Sequence, residues 1–182
     1  GLYLTGVALA RLSGALFPVP QRLIEEFSRT LLPEGIPVWE MLLILAVLPG
    51  ICEEVAFRGV LLHGLRRRYS PLGLCLVVGL IFGLFHLDLA RVLPTAFLGT
   101  AVAGVTLLTG SIYPAMLWHA LNNATAVLAS DAGVAVDDLG VGVYAAGAVV
   151  AGLASVLLWK NRTPYPGLRG QAGLLGQRIR RV

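Results

Sequence analysis

The stretch Pro49-Gly-Ile-Cys-Glu53-Glu54-Val-Ala-Phe-Arg58 places two adjacent carboxylates and a guanidinium inside an otherwise apolar run. Ionised groups at such depth cost several kcal/mol unless paired, so their presence calls for a functional reading. Glu54 and Arg58 are four residues apart, share a helix face and can pair. Glu53 points about 100° away, with no partner in its own helix. An isolated carboxylate in a low-dielectric site is a candidate general base.

Two further polar sets lie in separate apolar runs, Phe82-Gly-Leu-Phe-His86 and His119-Ala-Leu-Asn122-Asn123. His119 and Asn123 share a helix face, and Asn122 points away from it. A carboxylate, two imidazoles and an amide together suit a hydrolytic centre, a metal site or an ion relay. Amide hydrolysis needs a base for water, donors for the oxyanion and a proton source for the leaving amine. Glu53 can supply the first, and His119 with Asn123 the second. A zinc centre would use Glu53, His86 and His119 as three ligands with water as the fourth. The HExxH spacing of soluble zinc proteases is absent. Cys52 is disfavoured as a nucleophile, because a thiolate beside two carboxylates in an apolar helix is destabilised. His63, close to Arg66, Arg67 and Arg68, reads as interfacial and is given no role.

The elements that must position these groups are membrane helices. Of 182 residues 57% are hydrophobic and 13% charged, and the mean hydropathy is +0.80. That charge is roughly half what a soluble domain carries, so an all-α polytopic transmembrane bundle is expected. Six candidate spans fall at about 1–17, 38–65, 71–89, 92–109, 112–130 and 139–159. Residues 21–30 (QRLIEEFSRT) read as an interfacial amphipathic helix. Residues 1–160 form one membrane domain, and 161–182 a basic tail. The net charge of +4 does not point to nucleic acid, since the basic residues sit at span ends where they orient helices; Arg66 to Arg68 and the tail then face the cytoplasm. Counted at about 1.5 Å per residue from the cytoplasmic side, Glu53, His86 and Asn123 all lie on the order of 17–20 Å deep. Cys52 and Cys75 show neither a disulfide framework nor a zinc-ribbon spacing. The chain begins at Gly1, so a processed or truncated product is expected.

Glu53-Glu54-x-x-x-Arg58, Phe82-x-x-x-His86 and His119-x-x-x-Asn123, in this order over about 70 residues, resemble the CPBP family of type II CAAX prenyl endopeptidases and bacteriocin-processing or immunity (Abi) proteins. The resemblance covers residues from about 38 to 130. It implies an intramembrane endopeptidase in which Glu53 activates water with His86 assisting, His119 and Asn123 steady the oxyanion, and Glu54 and Arg58 support the site. It favours a metal-independent glutamate protease with no cofactor, zinc being the alternative. Family members commonly have about eight spans, so one or two N-terminal helices are expected upstream. The partners implied are a membrane-associated peptide or protein substrate and the lipid bilayer, with no nucleic acid. Short loops and the Gly- and Ala-rich composition suggest a prokaryotic cell membrane with a cytoplasmic C-terminal tail.

Two other functions are compatible with the same residues. A small transporter or proton relay would use Glu53, Glu54 and the histidines to carry ions, although Pro49-Gly50 is the only clear break inside a span. A non-enzymatic immunity-type scaffold would keep them as polar glue.

Overall fold

A computed structural model describes residues 2–20, 22, 35–134, 141–163 and 165–168. The expected amphipathic segment at 21–30 and most of the basic tail lie outside the described residues. Among the described residues there are helices and no strands. They run α1 Leu2–Leu16, α2 over residues 38–65, α3 Pro71–Phe85, α4 Leu89–Thr109, α5 Tyr113–Asp131 and α6 Val141–Lys160. Each falls on one of the six apolar runs.

Their lengths differ from the expectation of six full spans. Among the described residues α4 is long and apolar enough to cross a membrane as one helix of uniform winding, whereas α2 is longer but alternates between α and π winding. The third run was expected to reach residue 89, but α3 stops at Phe85 and rises only about 22 Å, short of a bilayer core of about 30 Å. Its stop is local. The His86 N–H turns back to Gly83, Leu87 adopts a left-handed φ of 54°, and Asp88 caps α4 by accepting from the Ala90 N–H at 2.9 Å. In α5 the polar site residues themselves, His119, Asn122 and Asn123, dilute the apolar run.

The surface is inverted relative to a soluble protein. Leu72, Leu76, Leu80 and Leu84, four residues apart along α3, are all exposed, whereas Glu54 and Arg58 are buried. Flanking that stripe, Gly79-x-x-x-Gly83 meets α4 backbone to backbone. A Cβ on Gly79 would lie 2.6 Å from the Thr100 amide nitrogen and 2.7 Å from the Ala96 carbonyl; one on Gly83 would lie 2.7 Å from the Val92 carbonyl. Small residues are what allow such close approach between membrane helices. Phe57, Leu62, Leu74, Val78, Phe82, Ala103 and Leu107 fill the core between α2, α3 and α4.

Helix α2 is wound unevenly, with wide π turns at Leu43–Val47 and Val55–Leu62 flanking the α-helical Leu48–Glu54. Pro49 lacks the N–H that would continue the first register. After α6 the chain folds back: the Thr163 N–H donates to the Leu108 carbonyl at 2.7 Å, and Tyr165 and Leu168 are buried in the core. The start of the tail is therefore packed against the bundle. His63, assigned no role from sequence, lies with Nδ1 3.3 Å from the Tyr165 hydroxyl.

Candidate active site

The site is built outward from Glu54. Its Oε1 accepts from Arg58 Nη1 at 2.8 Å along α2 and from His119 Nδ1 at 2.8 Å across to α5. Arg58 Nη2 continues to the Gly99 carbonyl of α4 at 2.7 Å, and its guanidinium lies over the Phe82 ring of α3 at 4.9 Å. Four helices are thus tied at one buried ion pair. The pairing of Glu54 with Arg58 follows from their spacing, but the second tie to His119 had no counterpart in the sequence reading.

That tie sets the histidine's orientation. Beside a carboxylate already held by arginine, Nδ1 is the donor, so Nε2 is the nitrogen turned to the cleft, and it stands 3.9 Å from Glu53 Oε2. His86 is fixed in the same way. The tightened end of α3 leaves the Phe82 carbonyl without the His86 amide, and His86 Nδ1 donates to it instead at 2.9 Å. Phe82 packs edge-on against both imidazoles, at 4.9 Å from His86 and 5.7 Å from His119.

Glu53 has a different setting. Its side chain is 28% exposed against 0% for Glu54, and while Oε2 of each glutamate has no hydrogen-bond partner among the described residues, only Glu53 lines a cleft. It opens into a cleft of about 250 Å³ together with His86, His119, Asn122 and Asn123. The far wall is Gly6, Val7 and Ala10 of α1 with Pro94, Thr95 and Leu98 of α4. Those wall residues were not singled out from sequence, because nothing in an apolar run marks which face meets a cleft. Asn122, expected to point away from Asn123, lines the cleft as well. Asn123 Nδ2 donates to the Leu45 carbonyl at 3.2 Å. Cys52 is exposed and is not among the residues lining the cleft.

The zinc alternative can be tested on the donor set. Among the described residues no three His, Cys, Asp or Glu side chains are grouped so as to hold a metal ion. As placed, Glu53, His86 and His119 do not fit a three-ligand centre.

A carboxylate and two oriented imidazoles thus face one cleft, inside a bundle whose described residues form helices with an apolar exterior. Residues 35–125, half of the chain, match the family model for type II CAAX prenyl endopeptidases of the Rce1-like kind. The chain belongs to that family, which is one of membrane-embedded proteases, and the matched range contains every site residue from Glu53 to Asn123. Neither a curated protein nor a solved structure matches the chain.

Proposed function

We propose that the protein is an intramembrane endopeptidase that hydrolyses a peptide bond of a membrane-associated protein or peptide, with Glu53 as general base. The observation that carries this reading is the contrast between two adjacent glutamates, one shut off from solvent with Oε1 held by Arg58 and His119 and the other partly exposed and facing the cleft beside two imidazoles. Glu53 takes a proton from water while His86 Nε2 helps to hold that water. The hydroxide oxygen adds to the substrate carbonyl. The resulting oxyanion accepts from the protonated Nε2 of His119, whose ring is steadied by Glu54, and from the amide of Asn123. Glu53 then returns the proton to the leaving amine as the C–N bond breaks. Glu54 and Arg58 act by holding His119 in place.

In this reading all six helices lie in a prokaryotic cell membrane, with Arg66 to Arg68 and the basic tail on the cytoplasmic side, where the cleft opens. The shorter helices are accommodated by local thinning of the bilayer. No cofactor takes part.

Purified protein in detergent, incubated with a quenched library of membrane-anchored peptides, tests the proposal. Cleavage that disappears in Glu53→Gln is the expected result. A library left intact by the wild-type protein, or cleaved equally by the variant, would overturn it.

A further inference from the structure

Pro49 creates a local problem in α2. The π winding sets the Leu43 carbonyl against the Leu48 N–H five residues on, α winding resumes at Leu48, and Pro49 has no N–H to give, so the carbonyls of Ile44, Leu45 and Ala46 outnumber the helical donors left to them. The structure answers it from another helix, with Asn123 Nδ2 of α5 donating to the Leu45 carbonyl at 3.2 Å. The next residue, Gly50, is buried against the same helix, and a Cβ there would lie 2.9 Å from both the Cβ and the backbone nitrogen of Ala120. Pro49-Gly50 thus offers α5 one carbonyl lacking its helical donor and one bare stretch of backbone. Asn123 and Ala120, three residues apart on a common face, meet both.

The position of this contact matters for the chemistry. Glu53 is one turn beyond Pro49 on α2, and His119 immediately precedes Ala120 on α5. The junction therefore sits one turn from the point where Glu53 Oε2 and His119 Nε2 come to 3.9 Å. We infer that Asn123 is a positioning residue for Glu53, acting through the Leu45 carbonyl to fix the separation of base and imidazole. This rests on the assignment of Glu53 as base, and adds to Asn123 a role separate from oxyanion donation. One amide hydrogen serves Leu45 and the other remains for the cleft. Without the amide, a carbonyl at membrane depth loses its donor. Helix α2 then relaxes about Pro49, and displacements of well under 1 Å at the reacting groups are enough to slow the chemistry.

The test is a double-mutant cycle on the full chain in detergent, in which Pro49→Ala returns an N–H to this stretch of α2, one that serves Leu45 where the winding closes to α register. Asn123→Ala is expected to lower kcat about 100-fold with little change in KM. In the Pro49→Ala background the same change is expected to lower it about tenfold or less. An Asn123 that acts only on the oxyanion loses the same factor in both backgrounds, and equal losses would overturn the proposal. Should Pro49→Ala fail to fold, the pH profile of Asn123→Ala decides: a displaced Glu53 moves the acidic limb of kcat/KM, and an unmoved limb counts against the clamp. A wild-type protein that cleaves nothing is a failure of the peptidase reading instead. The clamp is then judged from the melting temperatures of the four proteins, where strictly additive shifts sink it.

Discussion

On one side of α2, Glu54 and Arg58 are closed off from solvent, paired with each other at 2.8 Å and joined to α5 and α4 by two hydrogen bonds of 2.8 and 2.7 Å. On the other side, one residue earlier, Glu53 opens into a cleft with its side chain 28% exposed. The two carboxylates are chemically identical and differ only in what surrounds them. The engaged one contributes rigidity and orients a histidine; the open one keeps its lone pairs for a substrate water. A reactive group in a membrane interior has to be held still by neighbours that are not themselves consumed, and the Glu-Glu pair divides these duties between adjacent residues.

The contrast can be broken most severely at Glu53. Glu53→Gln is expected to lower kcat by about 10³-fold, within the 10²–10⁴ range of general-base catalysis. Its melting temperature should stay within a degree or two of wild type. Substantial cleavage by this variant in the peptide-library assay would reassign the base.

Arg58→Ala attacks the other side. It leaves Glu54 buried without its cation and should lower stability by about 3–5 kcal/mol, as for other broken buried pairs. Glu54→Gln combined with Arg58→Leu should recover part of the loss. Melting curves equal to wild type for Arg58→Ala would show that the pair bears no weight.

A smaller effect is expected where α3 meets α4. Gly79→Ala would force a methyl to within 2.1 Å of Thr100 Oγ1 and 2.7 Å of the Ala96 carbonyl. The backbone part of that clash can be relieved only by separating the helices, at about 1–3 kcal/mol. Denaturation in detergent measures it. Activity should fall less than in Glu53→Gln, because the wedge widens the structural side and leaves Glu53 in place.

At the return of the tail the effect shrinks further. Burial pushes the Tyr165 phenol above its ordinary value of about 10, against the opposing pull of Arg66. The folded state then holds a proton that the unfolded chain releases first. Stability from this site is complete below about pH 10 and falls as pH rises through the folded value. Tyr165→Phe should flatten that alkaline slope and change neutral-pH stability by about 1 kcal/mol or less. An unaltered slope in the variant would assign it elsewhere.

The smallest expected effect is none at all. Prolonged dialysis against a chelator should leave activity within about twofold, since Glu53 acts as a free base. Stoichiometric zinc lost together with activity, and restored with it, would replace the glutamate mechanism by a metal one.

Much of the architecture was legible in the sequence. The six helices sit on the six apolar runs because Pro, Gly and charge interrupt those runs where helices end. Glu54 with Arg58 was legible for a related reason: a four-residue spacing puts both on one face whatever surrounds the helix. The end of α3 was misjudged, since Leu87 and Leu89 carry the apolar pattern past Phe85 while the backbone leaves the helix there.

Local spacing determined which residues could be neighbours along a helix, because the 3.6-residue turn is a property of the backbone itself. Only the tertiary structure decided which neighbours they have across helices. That Glu54 holds His119 from 65 residues away, that Arg58 reaches the Gly99 carbonyl 41 residues on, and that Asn123 serves Leu45 across 78 residues all depend on the rotation and approach of packed helices. Those in turn depend on where glycine lets backbones touch, at Gly50, Gly79 and Gly83. No periodicity within one segment encodes the angle at which it meets another. The distinction between a structural and a reactive glutamate was therefore fixed by packing.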